Sequence, residues 1–90
     1  MKKMIAITMA AMLMMSCAAL AEISKEDAKR IALDKVGFTA DSVHFTECHT
    51  DYEHGRRVIE VEFNRDGMEY EFDIDAKNGR ILDLDIDALD

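Results

Sequence analysis

Apolar and acidic residues alternate along the C-terminal part of the chain, where residues 57–87 read RVIEVEFNRDGMEYEFDIDAKNGRILDLDID. A period of two places the apolar side chains on one face of a β-sheet and the acidic side chains on the other. Asp66-Gly67 and Lys77-Asn78-Gly79 divide the stretch into three runs, and both segments are typical of turns. The pattern therefore predicts a β-meander with one apolar and one acidic face.

The first of these turns predicts the register of its two flanking strands. Asp66-Gly67 is a strong signal for a two-residue type I′ hairpin, in which both turn residues have positive φ. Such a turn places Arg65 opposite Met68 and brings the apolar residues of both strands to the same face. The predicted apolar pairs are Phe63 with Tyr70, Val61 with Phe72, and Ile59 with Ile74.

The second turn must also keep the apolar faces matched. A three-residue loop, Lys77-Asn78-Gly79 with Gly79 in the left-handed conformation, meets this requirement. A two-residue Asn-Gly loop would set Phe72 opposite Asp85, and we reject it for that reason. The predicted pairs are Ile74 with Leu82, Phe72 with Leu84, and Tyr70 with Ile86.

A helix is predicted before the sheet, over residues 25–36. Ser24 is a favourable N-cap, and Asp27 stands at the N3 position of a capping box. Gly37 is a typical residue after a helix C-terminus. Apolar residues recur at helical spacing and form one stripe that can face a core; they are Ala28, Ile31, Ala32 and Val36.

The segment between the helix and the meander predicts one more strand. This strand covers residues 43–47 with a continuation as far as Thr50, and residues 52–55 are predicted to form a turn. The next strand is predicted over residues 57–64. The predicted fold class is α+β, with one N-terminal helix packed on a four-stranded antiparallel β-meander.

The first 21 residues have the organisation of a secretory signal peptide. Lys2 and Lys3 form a positive start, residues 5–15 are apolar, and Ala19-Leu20-Ala21 has the form that signal peptidase accepts. We predict cleavage after Ala21, which leaves a domain of residues 22–90 in the periplasm or outside the cell.

A second cleavage site is possible within the same segment. Cys17 follows the small residue Ser16, as in a bacterial lipoprotein signal, although Met14 stands where leucine is usual. The alternative to a free secreted domain is therefore a lipoprotein anchored through Cys17. Cleavage after Ala21 would leave Cys48 as the single cysteine, with no internal disulfide.

The charge of the predicted domain limits its partners. Removal of Lys2 and Lys3 leaves 9 basic against 19 acidic residues, a net charge of −10. Nucleic acids and anionic membrane surfaces both require a basic footprint, so this balance argues against both. It permits basic proteins or divalent cations as partners. No cofactor-binding motif is present in the sequence.

Two segments of the chain resemble the PepSY domain family. They are Ser24-Lys25-Glu26-Asp27-Ala28, which opens the helix, and residues 70–82, which read YEFDIDAKNGRIL. The resemblance implies a secreted or membrane-attached bacterial module that contributes no catalytic residues. Such modules occur in metallopeptidase propeptides and in other cell-envelope proteins. The resemblance also implies a protein partner, with a peptidase as a candidate, and an inhibitory or regulatory role.

The predicted register makes the acidic face the candidate partner-binding site, with an exposed edge strand of the meander as the other surface that could bind a partner. It aligns the acids in rows across the strands, with Glu69 facing Asp87 at one end. The residues we predict to contact a partner are Glu60, Glu62, Glu69, Glu71, Asp73, Asp83 and Asp85. Two alternatives remain open. The face could belong to a divalent-cation-binding or envelope-sensing module, with carboxylate oxygens as the cation ligands, or it could be a solvated surface that is partly neutralised by Arg56, Arg57, Arg65 and Arg80.

The remaining chemistry-bearing side chains do not form a recognisable motif. On an ideal strand His44 and Cys48 fall on the same side and His49 on the other, which is no standard zinc spacing. We therefore predict no metal site among His44, Cys48, His49 and His54. No nucleophile–base pair can be identified, so we predict a non-enzymatic protein. Cys48 could form a mixed disulfide with another chain.

Overall fold

The computed structural model describes residues 22–89, which form one helix and one sheet. The elements are α1 (Lys25–Val36), a short 3₁₀ helix (Ala40–Ser42), β1 (His44–Glu53), β2 (Arg56–Arg65), β3 (Met68–Asp75) and β4 (Ile81–Ala88). The strands are antiparallel neighbours in the order β1-β2-β3-β4. The predicted α+β class, with a helix followed by a four-stranded antiparallel sheet, is confirmed.

Several predictions about the N-terminus fall on residues before this range. The signal sequence of residues 1–21, its cleavage after Ala21 and the alternative anchor at Cys17 lie outside the described residues. Within residues 22–89, no helix is long and apolar enough to cross a membrane.

The helix begins and ends where its capping residues predict. Ser24 Oγ accepts a hydrogen bond from the Asp27 N–H at 3.1 Å, and the Asp27 carboxylate accepts one from the Ser24 N–H at 3.2 Å. This reciprocal pair is a capping box, and it satisfies two backbone donors at the helix N-terminus. Gly37 ends the helix with φ 78°, in the left-handed region. Both predicted helix ends are confirmed.

The turn between β2 and β3 has the predicted form. Asp66 and Gly67 have φ values of 50° and 76°, which fit the positive values of a type I′ turn. The predicted pairs of Phe63 with Tyr70, Val61 with Phe72 and Ile59 with Ile74 are all present. Local turn chemistry and the apolar pattern therefore specify the same register.

Strand β1 differs from its prediction in length and regularity. It continues to Glu53, and the turn contains only His54 and Gly55, whose φ values are 55° and 75°. Both values are positive, so His54-Gly55 serves as a two-residue hairpin turn and the strands continue up to it. The predicted turn over residues 52–55 is therefore too long. The register of β1 against β2 also shifts by one residue between Phe45 and Glu47, a β-bulge at Thr46.

The hairpin of β3 and β4 contains a second bulge that changes one predicted pair. Phe72 lies opposite Leu84 and Tyr70 lies opposite Ile86, as predicted. The predicted pair of Ile74 with Leu82 is wrong, because Ile74 lies opposite Ile81. The Asp75 N–H donates to the Arg80 carbonyl at 2.8 Å. The strand pairing next to the loop is therefore shifted by one residue relative to the pairing along the rest of β3 and β4. Leu82 is the extra residue of β4 at this shift, and its side chain is 38% exposed.

The core lies between α1 and the apolar face of the sheet. Its buried side chains come from α1, β2, β3 and the loop after β3, and they include Ala28, Ala32, Val61, Phe63, Phe72 and Ile74. Phe38, which follows Gly37 at the end of the helix, also packs here. Its ring centroid lies 5.4 Å from that of Tyr70 in an edge-to-face arrangement, which is a favourable aromatic geometry.

Candidate functional site

The acidic face is the side of the sheet that points away from α1, and the ladder places its acids in cross-strand rows. Each row follows the pairing of β2 with β3 and of β3 with β4. The rows are Glu60–Asp73–Asp83, Glu62–Glu71–Asp85 and the pair Glu69–Asp87. All seven predicted site residues therefore share one face, and the predicted neighbours within each row are observed.

Strand β1 extends two of these rows, which the sequence did not predict. Glu47 lies opposite Glu62, and His49 lies opposite Glu60. His49 Nε2 lies 3.5 Å from Glu60 Oε1, and the Thr46 hydroxyl donates a hydrogen bond to Glu62 Oε1 at 2.9 Å. The two-residue turn at His54-Gly55 could have indicated the register near that turn. The bulge at Thr46 has no comparable sequence signal.

Electrostatic repulsion within the rows is visible at their central acid, Glu71. Burial raises the pKa of the Glu71 carboxyl, and the charges of its acidic neighbours raise it further. Those neighbours are, in order of effect, Glu62, Glu60, Asp73 and Asp85. The rows therefore disfavour the charged form of this residue, and a positive partner would relieve that repulsion.

The adjacent row shows the same effect at Asp73. Burial is again the main cause that raises the pKa of this carboxyl, and nearby carboxylates raise it further. The contributing residues are Glu53, Glu60, Asp83 and Asp85. Glu53 is a residue of β1, so the outer edge strand also contributes negative potential to the centre of the acidic face.

Three of the four arginines that could have neutralised this face contact other groups. Arg56 Nε lies 3.7 Å from Asp75 Oδ2. Arg57 donates a hydrogen bond to the Glu22 carboxylate. Arg65 lies 3.6 Å from the carboxylate of its neighbour Asp66 and 4.1 Å from the centre of the Phe38 ring. None of these partners is a member of the acidic rows.

Two groups of side chains at the border of β1 and β2 could hold a cation. Glu47, His49 and Glu60 can each present one ligand atom, with all three atoms within 4.8 Å of one another. Asp51 and Glu53 form a second such group with Glu60. Carboxylate oxygens suit calcium or magnesium. Both groups share Glu60 and lie toward the β1 edge rather than between Asp73 and Asp83.

The predicted relation between His44 and Cys48 is wrong, and the bulge at Thr46 is the reason. His44 lies opposite Asn64 and points to the acidic face, whereas Cys48 lies opposite Val61 and points to the core. Within residues 22–89, no group of potential metal ligands includes Cys48. Burial raises the pKa of the Cys48 thiol. The reactive thiolate is therefore disfavoured at neutral pH.

A surface cavity of about 480 Å³ lies near the turn between β1 and β2. The residues that line it come from this end of the sheet and from the N-terminal segment: Glu22, Tyr52, Gly55, Arg56, Arg57, Asp75 and Lys77. Four of its five charged residues form ion pairs, Arg57 with Glu22 and Arg56 with Asp75. Among these lining residues of the described chain, no nucleophile has an adjacent base.

Comparison with known proteins places this geometry in a family. Residues 22–85 match the family model PepSY, described as "Peptidase propeptide and YPEB domain". A Bacillus subtilis protein, uncharacterized protein YkoJ, is 41% identical over 66 residues, which are 72% of this chain and 36% of that protein. Uncharacterized protein Spy1430 of Streptococcus pyogenes serotype M6 is 34% identical over 62 residues, 69% of this chain and 48% of that protein.

The extent of these matches limits what they imply. The chain spans less than half the length of each of these two relatives. No solved structure matches the chain. Domains of the PepSY family are often regulatory or peptidase-inhibitory, are generally non-catalytic, and are typically extracellular or periplasmic. The family model covers most of this chain, from residue 22 into β4, so the chain belongs to the PepSY family.

Proposed function

We propose that this domain binds a protein partner through the acidic face, and that the partner presents basic residues to it. A peptidase of the cell envelope is the class of partner that the family suggests, and the domain would regulate or inhibit it without catalytic residues of its own. The proposal places the domain in the periplasm or outside the cell, with its site residues in the acidic rows.

The observation that supports this proposal is the stacking of like charges at directly opposed positions. Glu62 lies opposite Glu71, and Glu71 lies opposite Asp85. Each opposed pair of like charges costs a sheet roughly 0.2–1 kcal/mol. Lysine or arginine side chains from a partner would remove this repulsion, and their binding would gain the free energy that the isolated domain loses.

Capture from the envelope fraction of the producing cell tests the proposal. The wild-type protein is compared with a variant that carries Glu62→Lys and Glu71→Lys, and a captured partner is purified and measured by titration. We expect the double reversal to weaken binding at least tenfold, because it replaces two attractions by two repulsions at the centre of the face. Higher salt should weaken wild-type binding, since exposed charges are screened. A captured peptidase is also assayed for inhibition.

A charge reversal elsewhere serves as the matched control. Asp34 is exposed on α1, away from the acidic face, so Asp34→Lys changes the net charge by the same amount per residue without changing the rows. This variant should retain the wild-type affinity. Binding that survives both Glu62→Lys and Glu71→Lys, and that does not respond to salt, would contradict a role for the acidic face.

A second candidate function is the binding of divalent cations, favoured by the two groups that share Glu60. Calcium would be held by carboxylate oxygens of Glu47 or of Asp51 and Glu53, together with Glu60. A melting temperature that rises with millimolar calcium, and a rise that Glu60→Gln removes, would support this candidate. A melting temperature that ignores calcium would exclude it.

A further inference from the structure

The outer edge of β4 carries backbone groups that are free to pair with another strand. β4 is the last strand of the sheet, and β3 is its single strand neighbour within residues 22–89. The Leu89 N–H donates to the Gly67 carbonyl at 2.8 Å, in the same register as the β3–β4 ladder. Hydrogen-bonded and non-hydrogen-bonded pairs alternate along an antiparallel ladder. The N–H and C=O groups of Leu84, Ile86 and Ala88 therefore point away from β3.

The same three residues place their side chains on an apolar surface that α1 leaves largely uncovered. Leu84 and Ile86 lie opposite Phe72 and Tyr70, which face the core side of the sheet. The helix packs mainly over β1 and β2. Burial of the apolar face therefore decreases toward the β4 edge: Phe72 on β3 is fully buried, Leu84 on β4 is half-buried, and Ile86 on β4 is 47% exposed. A strand added beside β4 would extend this apolar surface and bury Ile86.

The opposite face of β4 determines the chemistry of such a strand. Asp83, Asp85 and Asp87 alternate with the apolar residues and point to the acidic face. A second copy paired through its own β4 would set aspartates against aspartates, which is destabilising. An added strand with lysine or arginine at these positions would form opposed pairs of opposite charge. The edge therefore disfavours self-pairing and complements a basic strand.

The other edge of the sheet lacks this combination. β1 contains the bulge at Thr46, and bulges on edge strands disrupt pairing with further strands. Its core-facing side chains lie beneath the helix, where Lys29 Nζ is 5.1 Å from the centre of the Phe45 ring and Cys48 Sγ is 4.0 Å from the Lys25 carbonyl. β4, by contrast, pairs regularly with β3 from Asp83 to Ala88.

We propose that the free edge of β4 binds, as a fifth strand, an extended protein segment in which apolar residues alternate with lysine or arginine. The inference rests on the proposed function and deepens it, because it assigns the partner segment its conformation and its sequence pattern. Main-chain hydrogen bonds to Leu84, Ile86 and Ala88 hold the segment. Its apolar residues cover Leu84 and Ile86, and its basic residues face Asp85 and Asp87.

A synthetic peptide of about seven residues that alternates lysine and valine, with both ends blocked, tests the inference on the processed protein purified from its producing cell. The peptide carries a fluorophore, and its affinity is measured by anisotropy. We expect binding to slow hydrogen exchange at the amides of Leu84, Ile86 and Ala88, because these donors acquire acceptors. Asp85→Lys should weaken binding about tenfold.

Matched controls separate strand addition from general attraction of a cation. Asp34→Lys reverses a charge on α1, away from both sheet edges, and should leave the affinity within about twofold. A peptide of the same composition with its lysines and valines in two blocks should bind at least tenfold more weakly, because it cannot place lysines on one face. Equal affinity of the two peptides, or protection at Cys48 and Thr50 instead of Leu84 and Ile86, would overturn the inference.

Two further outcomes distinguish this inference from the proposed function. In the first, Glu62→Lys with Glu71→Lys abolishes binding of the natural partner, whereas Asp85→Lys changes the affinity of neither the partner nor the peptide. This result would support the acidic face as the binding site and contradict binding at the β4 edge. If all these variants bind the natural partner equally well, both proposals fail. Light scattering at the concentration of the binding assay shows whether the protein dimerises. A dimer that becomes more stable with Asp85→Lys would mean that the β4 edge pairs with a second copy, and this would overturn the inference.

Discussion

At the scale of single residues, Glu71 shows how the acidic face affects the stability of the domain. It lies between Glu62 and Asp85 in one row, and burial and four neighbouring acids raise the pKa of its carboxyl. A residue in this position is destabilising while it is charged. Its replacement by a neutral residue of the same shape removes the repulsion and keeps the side-chain volume.

We therefore expect Glu71→Gln to stabilise the domain at pH 7 by about 0.2–1 kcal/mol, the usual size of a cross-strand side-chain interaction. Urea unfolding measures the change. Asp34→Asn, which removes one exposed negative charge from α1, is the matched control and should change the free energy of unfolding by less. An equal or smaller stability for Glu71→Gln than for wild type would mean that the carboxylate makes a favourable contact within the row.

At the scale of elements, the loop between β3 and β4 is coupled to the helix through Gly79. This glycine has φ 76°, a conformation that other residues adopt only with strain. A Cβ at this position would also lie 3.0 Å from Cδ1 of Ile31 on α1. The loop that closes the last hairpin thus has two reasons to contain glycine, one local and one tertiary.

Gly79→Ala should destabilise the domain by about 1–2 kcal/mol from backbone strain alone, with an additional loss from the contact with Ile31. Gly37→Ala is the matched control, because Gly37 has a similar φ of 78° and a Cβ added there would have no atom within 4 Å apart from its chain neighbours. Gly79→Ala should therefore lower the free energy of unfolding, measured with urea, by more than Gly37→Ala does.

A double-mutant cycle isolates the tertiary part of this effect. Ile31→Val removes the Cδ1 atom that the new Cβ would meet, so it should cost less in the Gly79→Ala background than in wild type. Additive effects of the two substitutions would show that the loop strain is entirely local.

At the scale of the whole molecule, net negative charge gives the stability a specific dependence on pH. Glu71 and Asp73 have raised pKa values, so at pH values between their unfolded and folded pKa the folded chain binds more protons than the unfolded chain. The free energy of unfolding consequently falls as the pH rises through that interval. Asp27 acts oppositely, because its hydrogen bonds with Ser24 lower the pKa of its carboxyl.

We expect the melting temperature to rise from pH 7 to pH 5 and to fall below about pH 4, where Asp27 and other stabilising carboxylates become protonated. Thermal unfolding at a series of pH values across this range measures the change in melting temperature. The rise should be smaller at high salt, which screens the repulsion, and smaller in a variant with Glu71→Gln and Asp73→Asn. A melting temperature that falls steadily from pH 7 to pH 5 would contradict the prediction.

The sequence by itself determined the parts of this protein that depend on local chemistry. The capping box of Ser24 and Asp27 and the left-handed Gly37 define α1, and Asp66-Gly67 defines one hairpin. The alternation of apolar and acidic residues then specifies which face is buried, because a slip of one residue would move every apolar side chain to the wrong side. These signals were sufficient to predict the fold class and the neighbours within the acidic rows.

The tertiary structure alone decided the two bulges and their consequences for the sheet. The bulge at Thr46 lets β1 face the helix with Phe45 and Cys48, and the shift at Leu82 reconciles the last loop with the ladder. Neither has a local signal, because each depends on how distant segments pack. The position of α1 over β1 and β2 is decided in the same way. Helix packing depends on the shape of the whole sheet, and it is what leaves Ile86 exposed beside the free edge of β4.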